Sequence, residues 1–199
     1  MFPSQNKEPW EIYPEIWKTK SAYFTWLRGG LRRMWSTYPA KIAWKKKQLF
    51  NPPAGYSGRA KSLGQCRYCS RHFPASYLEV DHVQQAGACN SWEESYKFIH
   101  ALFQCNGNWV LACPECHKIK SYAEKSGLSL EEARIKKAAI YILGAAKKNT
   151  LVEYAIRAGY DYERMTNQAS RRQFLEWLAH NDAPLFEELE NAAQRSGTG

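Results

Sequence analysis

The segment that decides the fold, residues 66–120, contains three motifs: Cys66-Arg67-Tyr68-Cys69, then Leu78-Glu79-Val80-Asp81-His82, then Asn108-Trp109-Val110-Leu111-Ala112-Cys113-Pro114-Glu115-Cys116-His117. Two Cys-x-x-Cys pairs can complete a tetrahedral zinc site that needs no water or other ligand. We therefore predict a structural zinc held by Cys66, Cys69, Cys113 and Cys116. The 43 residues between the pairs exceed those of a simple zinc ribbon, so an insertion with its own structure is expected.

Two cysteines stand outside these pairs. Cys89 and Cys105 are expected to be buried or free thiols, because four ligands already close a structural site. The alternative is that one of them replaces a cysteine of a pair, and metal analysis of Cys-to-Ser variants would decide.

Residue patterns in and around the insertion predict a strand, a helix, a second strand and a further helix. Apolar and acidic residues alternate over residues 78–83, which predicts a short strand that ends with Asp81 and His82. Residues 108–112 are predicted to return as a second strand, and a helix is expected from Glu115 to about Lys125. Residues 92–103 indicate another helix within the loop between the strands, where His100 is expected to be an ordinary histidine. His117 would then lie in the first helical turn, near Asp81.

These motifs resemble the HNH motif of the ββα-metal nucleases, in the subset framed by two Cys-x-x-Cys pairs. The resemblance covers about residues 66–125 and rests on the order Asp81-His82, Asn108 and His117, with nine residues from Asn108 to His117. It implies an α+β fold with a ββα-metal (HNH) core and a four-cysteine zinc site, flanked by helical segments at both ends.

The resemblance also implies roles for the motif residues. His82 corresponds to the general base, a task that suits a neutral imidazole, and Asn108 to the asparagine that ties the loop. Asp81 and His117 correspond to the ligands of a catalytic divalent metal, Mg²⁺ or Mn²⁺, which assists hydrolysis of DNA to 5′-phosphate and 3′-hydroxyl ends. Some relatives have a further histidine four residues after the metal-ligand histidine, where this chain has Ser121, and this favours hydrated Mg²⁺.

The charge distribution indicates a polyanionic partner. The net charge is +9, and residues 1–65 account for all of it, with 12 Lys and Arg against 3 Asp and Glu. Such an excess favours binding to phosphates through counterion release. The basic residues predicted to contact DNA are Arg28, Arg32, Arg33, Lys45, Lys46 and Lys47 from this region, with Lys118 and Lys120 after His117. The five tryptophans within residues 7–50 are expected to pack inward, because large aromatic residues at helical spacing usually do.

The chain is predicted to have four segments: a basic, aromatic-rich helical arm over residues 1–50, a linker over 51–65, the HNH module with zinc knuckles over 66–127, and a helical region over 128–199. In the arm a helix is predicted from an N-cap at Ser21, and Gly29-Gly30 can break it. In the last region, capping boxes are predicted at Ser129 with Glu132 and at Thr150 with Glu153, and further helices at residues 171–180 and after Pro184. These helices are expected to support packing.

Two other functions remain open on sequence alone. The four cysteines can hold zinc in a nucleic-acid-binding protein without catalysis, or the C-terminal helices can bind a nucleoprotein machine.

The longest apolar run, residues 138–146, is too short to span a bilayer, and residues 1–6 lack the layout of a secretion signal, so we expect a cytoplasmic protein with no membrane partner. Basic arms are familiar in phage-encoded relatives, which would place the protein in the host cytoplasm. A monomer should nick DNA, and a homodimer or a phage or host partner could allow double-strand cleavage. Homing, restriction and packaging roles all stay open.

Overall fold

A computed structural model describes residues 7–104 and 107–196 of the chain. The described chain divides into two compact units, with the boundary between Cys116 and His117. The elements of the first unit are α1 (Pro9–Ile12), α2 (Lys20–Ser36), α3 (Pro39–Lys47), β1 (Leu63–Gln65), β2 (His72–Pro74), β3 (Glu79–His82), α4 (Trp92–Phe103) and β4 (Trp109–Ala112). Helix α5 (Pro114–Ser126) begins in the first unit and continues into the second.

The second unit is helical. After α5 it contains α6 (Leu130–Ala145), α7 (Lys148–Arg157), a 3-10 turn at Tyr162–Arg164, α8 (Gln168–Asn181) and α9 (Ala183–Ser196). Its core is built on α6, α8 and α9, where Ile142, Phe174 and Leu189 are fully buried. No helix in the described part of the chain is both long and apolar enough to cross a membrane.

The two sheets of the first unit are small antiparallel hairpins. Strand β1 pairs with β2, and the turn between them carries the first cysteine pair. Strand β3 pairs with β4 so that Asp81 lies opposite Val110 and His82 opposite Trp109. The predicted strands at residues 78–83 and 108–112 and the helix Trp92–Phe103 are therefore confirmed. No pattern in residues 63–74 indicated the β1–β2 hairpin.

The N-terminal helices pack into the first unit. Phe24 of α2 is buried beside Phe98 and Leu102 of α4, and Trp10 and Trp35 pack against the same cluster. The helix runs unbroken through Gly29-Gly30, since burial of this face outweighs the roughly 1 kcal/mol that each glycine costs. Its N-cap is Thr19, whose side chain accepts a hydrogen bond from Ala22 N–H, so the predicted cap at Ser21 was wrong.

The predicted linker also differs from what the structure shows. Its last three residues form β1, and Phe50 bridges to Leu63, so residues 51–62 close a loop within the first unit. The observed boundary after Cys116 coincides with none of the three predicted divisions.

Most helix limits of the second unit follow the predictions. The capping box of Ser129 with Glu132 starts α6 as expected, and Pro184 lies in the first turn of α9. The predicted cap at Thr150 was wrong, because α7 starts at Lys148 and contains Thr150. Gly159 follows the end of α7 with φ of 68°, a conformation that favours glycine.

Candidate metal centre and the adjoining histidine

The four predicted cysteines lie together. Cys66 and Cys69 come from the turn between β1 and β2, while Cys113 and Cys116 come from the junction of β4 and α5. Their sulfur atoms are all within 4.8 Å of one another, and this is the one such group of metal-ligand side chains in the described chain. Four thiols at this separation can hold a metal ion such as zinc.

Backbone hydrogen bonds shape the turn that holds the first pair. The Ser70 N–H donates to the carbonyl of Cys66 at 2.9 Å, and the Cys66 N–H donates to the carbonyl of Arg71 at 3.0 Å. Ser70 has a φ of 57°, which lets the chain reverse within the knuckle. The Cys113 N–H donates to the Cys66 sulfur at 3.3 Å and so joins the two pairs.

The thiol cluster suits a tetrahedral ion. A Zn–S bond of about 2.3 Å at tetrahedral angles separates the sulfurs by about 3.8 Å, which the observed cluster approaches without a disulfide. Burial raises the pKa of Cys116 to about 11. Burial also acts to raise the pKa of Cys69, but hydrogen bonds from Arg71, Cys66 and Cys116 outweigh it and lower that pKa to about 7. One thiolate is therefore readily available near neutral pH.

The other two cysteines have separate outcomes. Cys89 is a buried free thiol 3.2 Å from the Ser95 hydroxyl, as predicted, and is not part of the cluster. Cys105 lies outside the described residues, so its prediction stays a prediction.

His82 ends β3 and is held on two sides. Its Nε2 lies 2.9 Å from the carbonyl oxygen of Leu102, at the end of α4. The Trp35 ring, from α2, packs on the imidazole at a centroid separation of 4.6 Å, and Trp109 approaches it edge-on at 6.4 Å. The imidazole is thus fixed by elements from three parts of the first unit.

Asn108 ties the chain that leaves β3. Its Oδ1 accepts from Gln84 N–H at 2.7 Å, its Nδ2 donates to the Gln84 carbonyl at 3.1 Å, and its own carbonyl accepts from Val83 N–H at 2.8 Å. Three hydrogen bonds therefore fix the two residues that follow His82. This is the loop tie that the motif predicts, although the catalytic consequence stays a prediction.

Asp81 is buried on the strand that carries His82. It is only 6% exposed, and its Oδ2 accepts a hydrogen bond from the Tyr68 hydroxyl at 2.7 Å. Because Tyr68 lies between Cys66 and Cys69, this bond links the thiol cluster to the carboxylate. His117 follows Cys116 directly in α5 and is the first residue of the second unit.

The predicted DNA-binding residues differ in their surroundings. Arg28 and Arg32 lie near the ring of Phe98, with guanidinium carbons 5.3 and 5.9 Å from its centroid. Arg32, Arg33, Lys46, Lys47 and Lys118 are exposed.

Two of the lysines predicted to contact DNA interact with other groups of the protein. Lys45 is half-buried and donates to the Leu78 carbonyl, and Lys120 is 7% exposed and pairs with Glu124 at 2.7 Å. Burial of Lys120 corrects its assignment as a phosphate contact.

Sequence reasoning missed three groups that surround His82 and Asp81: Trp35, the Leu102 carbonyl and Tyr68. The position of Tyr68 inside a cysteine pair was a usable signal. Trp35 was visible only as one of several arm tryptophans, and a backbone carbonyl leaves no trace in a sequence.

Comparison with known proteins adds no family to this description. No protein-family model matches the chain, and no curated protein or solved structure is significantly similar to it.

Proposed function

We propose that this chain is a metal-dependent endonuclease of the HNH type that hydrolyses DNA phosphodiester bonds and leaves 5′-phosphate and 3′-hydroxyl ends. The observation that carries the proposal is the hydrogen bond between His82 Nε2 and the Leu102 carbonyl. It places a proton on Nε2 of a histidine that adjoins a buried carboxylate, and so sets the tautomer of the neutral ring.

The carbonyl decides which imidazole nitrogen can act as a base. A carbonyl oxygen only accepts hydrogen bonds, so Nε2 must carry the proton. In the neutral imidazole Nδ1 then carries the lone pair and is the nitrogen that acts as a base toward a water molecule. Packing of Trp35 on the ring and the Asn108 tie after the strand hold Nδ1 in one orientation. An imidazole held in one orientation suits the role of general base in hydrolysis of a phosphodiester by water.

Asp81 supports a catalytic cation at the same strand end. A buried carboxylate held by the Tyr68 hydroxyl is a preorganised oxygen ligand of the kind that Mg²⁺ and Mn²⁺ prefer. His117 is the predicted second ligand, on the strength of the motif alone. A divalent ion held there would supply positive charge to the phosphate and to the leaving 3′ oxygen.

The charge of α2 and α3 supports DNA as the substrate. Although Arg32 is exposed overall, desolvation by the protein around its guanidinium, and then the positive charge of Arg28 four residues earlier, lower its pKa. A phosphate beside these two guanidiniums would relieve their mutual repulsion. With Lys46 and Lys47 exposed on α3, the first unit carries unneutralised charge suited to a polyanion.

A non-catalytic, zinc-dependent nucleic-acid-binding protein is the second candidate. The closed four-cysteine cluster favours it, because such a site keeps no open position for water or substrate. A purely DNA-binding function does not explain why Asn108 is hydrogen-bonded to the residues that follow His82. We therefore rank this second candidate below the nuclease.

Plasmid relaxation separates the two. Supercoiled DNA is incubated with the wild type, with His82→Ala and with His100→Ala, in Mg²⁺, Mn²⁺ or no added metal. His100 is the matched control, because its imidazole lies on α4 and contacts Tyr96 and Gln104. We expect metal-dependent nicking by the wild type and by His100→Ala, and almost none by His82→Ala. Binding without nicking by all three proteins would support the second candidate.

A further inference from the structure

A cavity of about 310 Å³ lies between α3, β1 and β4, and its lining reaches the first cysteine pair through Arg67. Its aromatic wall is formed by Trp44, Phe50 and Trp109, and its polar lining includes Gln48, Gln65 and Arg67. Binding cavities for small organic molecules range from about 300 to 1,000 Å³, so this cavity is large enough for one small planar ligand.

The lining residue Trp109 has a buried donor. Trp109 is only 4% exposed, and its indole Nε1–H has no partner in the described chain. Leaving such a buried donor unsatisfied costs about 1–3 kcal/mol. Because this atom is shielded from solvent, a ligand in the cavity would contact the ring of Trp109 and not its N–H.

The other lining groups narrow the ligand class. Rings such as those of Trp44 and Phe50 offer faces on which a flat heterocycle can stack, and Phe50 is 39% exposed and so accessible. Gln65 donates from its amide nitrogen to the Ser70 carbonyl at 2.9 Å, which fixes the side chain at the cavity edge. The exposed guanidinium of Arg67 adds a positive charge suited to a phosphate.

We propose that this cavity is a nucleotide subsite, which receives one unstacked base while Arg67 meets its phosphate. The ligand chemistry is a nucleobase with an adjacent phosphate, supplied by a single-stranded segment of nucleic acid or by a free nucleotide. Trp109 lies opposite His82 in the strand register, so the same indole borders both the cavity and the candidate base. The proposal refines the nuclease function by naming an unpaired strand as the preferred substrate. In that respect the subsite rests on the proposed nuclease function.

Binding is measured under conditions without cleavage, so that the experiment can contradict the subsite proposal and the nuclease proposal independently. Full-length protein without added Mg²⁺ or Mn²⁺ is titrated with a fluorescent twelve-residue thymidine oligonucleotide and with an abasic oligonucleotide of equal length and charge. Stacking of one base is worth about 1–3 kcal/mol, so we expect roughly tenfold tighter binding of the oligonucleotide with bases. Phe50→Ala should abolish this preference. Tyr56→Ala removes a similarly exposed ring outside the cavity lining and should preserve it.

A second readout reports on the cavity directly. The chain has eight tryptophans, and their indole N–H signals can be followed by two-dimensional NMR. The Trp109 signal is the one that disappears in Trp109→Phe. If that variant does not fold, the signal is assigned by sequential assignment of isotope-labelled protein. We expect the oligonucleotide to shift the Trp109 signal in the wild type and not in Phe50→Ala. The same shift with thymidine monophosphate would identify a free nucleotide as sufficient, and a shift with the oligonucleotide alone would identify the strand.

Equal affinity for both oligonucleotides, or a base preference that survives in Phe50→Ala, would overturn the subsite. An unmoved Trp109 signal with both ligands would overturn it too. A preference for bases in a protein that never nicks plasmid would support the subsite and contradict the nuclease.

Discussion

Replacement of Asn108 by alanine tests how the fold positions the candidate base. The change removes the two side-chain hydrogen bonds to Gln84, at 2.7 and 3.1 Å, and leaves the backbone bond to Val83. Each bond contributes about 1 kcal/mol net, so the free energy of unfolding should fall by at most about 2 kcal/mol. For a unit of this size the melting temperature should then fall by roughly 5–10 °C.

The expected effect on activity is larger than the effect on stability. If the turn relaxes and the imidazole moves by about 1 Å, the rate of nicking should fall about 100-fold. The assay is single-turnover nicking of supercoiled plasmid, beside melting followed by circular dichroism. Asn108→Asp keeps the acceptor for Gln84 N–H and loses the donor, so it should fall between alanine and wild type. Asn90→Ala, an exposed asparagine in the same insertion, is the matched control.

Wild-type nicking by Asn108→Ala, together with the expected loss of stability, would refute the reasoning. It would show that the asparagine supports the turn and that the turn does not position the base. A variant with unchanged melting temperature would instead show that the two bonds to Gln84 contribute nothing measurable.

Three further perturbations test separate parts of the structure. Tyr68→Phe removes the hydroxyl that fixes the buried aspartate and should raise the Mn²⁺ concentration for half-maximal nicking roughly tenfold, with zinc content unchanged in metal analysis. Cys113→Ser should release zinc and unfold the first unit, seen as loss of its melting transition, whereas Cys89→Ser should retain zinc because that thiol lies outside the cluster. Hydrogen bonding to Arg157 and to a tyrosine lowers the pKa of Glu188 from 4.5 to about 2, so its stabilising contribution is complete above pH 4.5 and is lost as the pH falls toward 2. The difference in melting temperature between wild type and Glu188→Gln should therefore shrink over that interval, and a constant difference would contradict the prediction.

The parts that sequence predicted well depend on local patterns. The helix Trp92–Phe103 begins with a Ser91 side chain that accepts from Glu94 N–H, and its amphipathic spacing buries Phe98 and Leu102. Cysteine spacing fixed the thiol cluster in the same way, because a Cys-x-x-Cys turn brings its two sulfurs together whatever surrounds it. Predictions of this kind needed no knowledge of distant contacts.

The parts that sequence missed depend on contacts between distant residues. Strands β1 and β2 have three residues each, too few to show alternation. In β1, Gly64 lies against Leu111 and Leu78, and an added Cβ would come within 2.8 Å of both side chains. The close approach explains the glycine, but only once the partner strands are known.

The arm shows the same limit on a larger scale. Its tryptophans were expected to pack inward, which was wrong for Trp26, 53% exposed. Trp35 does pack inward, against His82, 47 residues later in the chain. No periodicity in either segment indicates that pairing. Deletion of the arm would therefore remove a wall of the candidate site as well as its positive charge.

The proposed function depends on His82 acting as a base that is separate from the thiol cluster. Its most direct test is a single sample of His82→Ala, with bound zinc measured by metal analysis and nicking measured under single-turnover conditions with Mg²⁺ or Mn²⁺. General-base catalysis contributes about 10²–10⁴-fold, so we predict one zinc per chain, unchanged DNA binding and a loss of rate of that size. Nicking at the wild-type rate, or loss of zinc together with activity, would contradict the account.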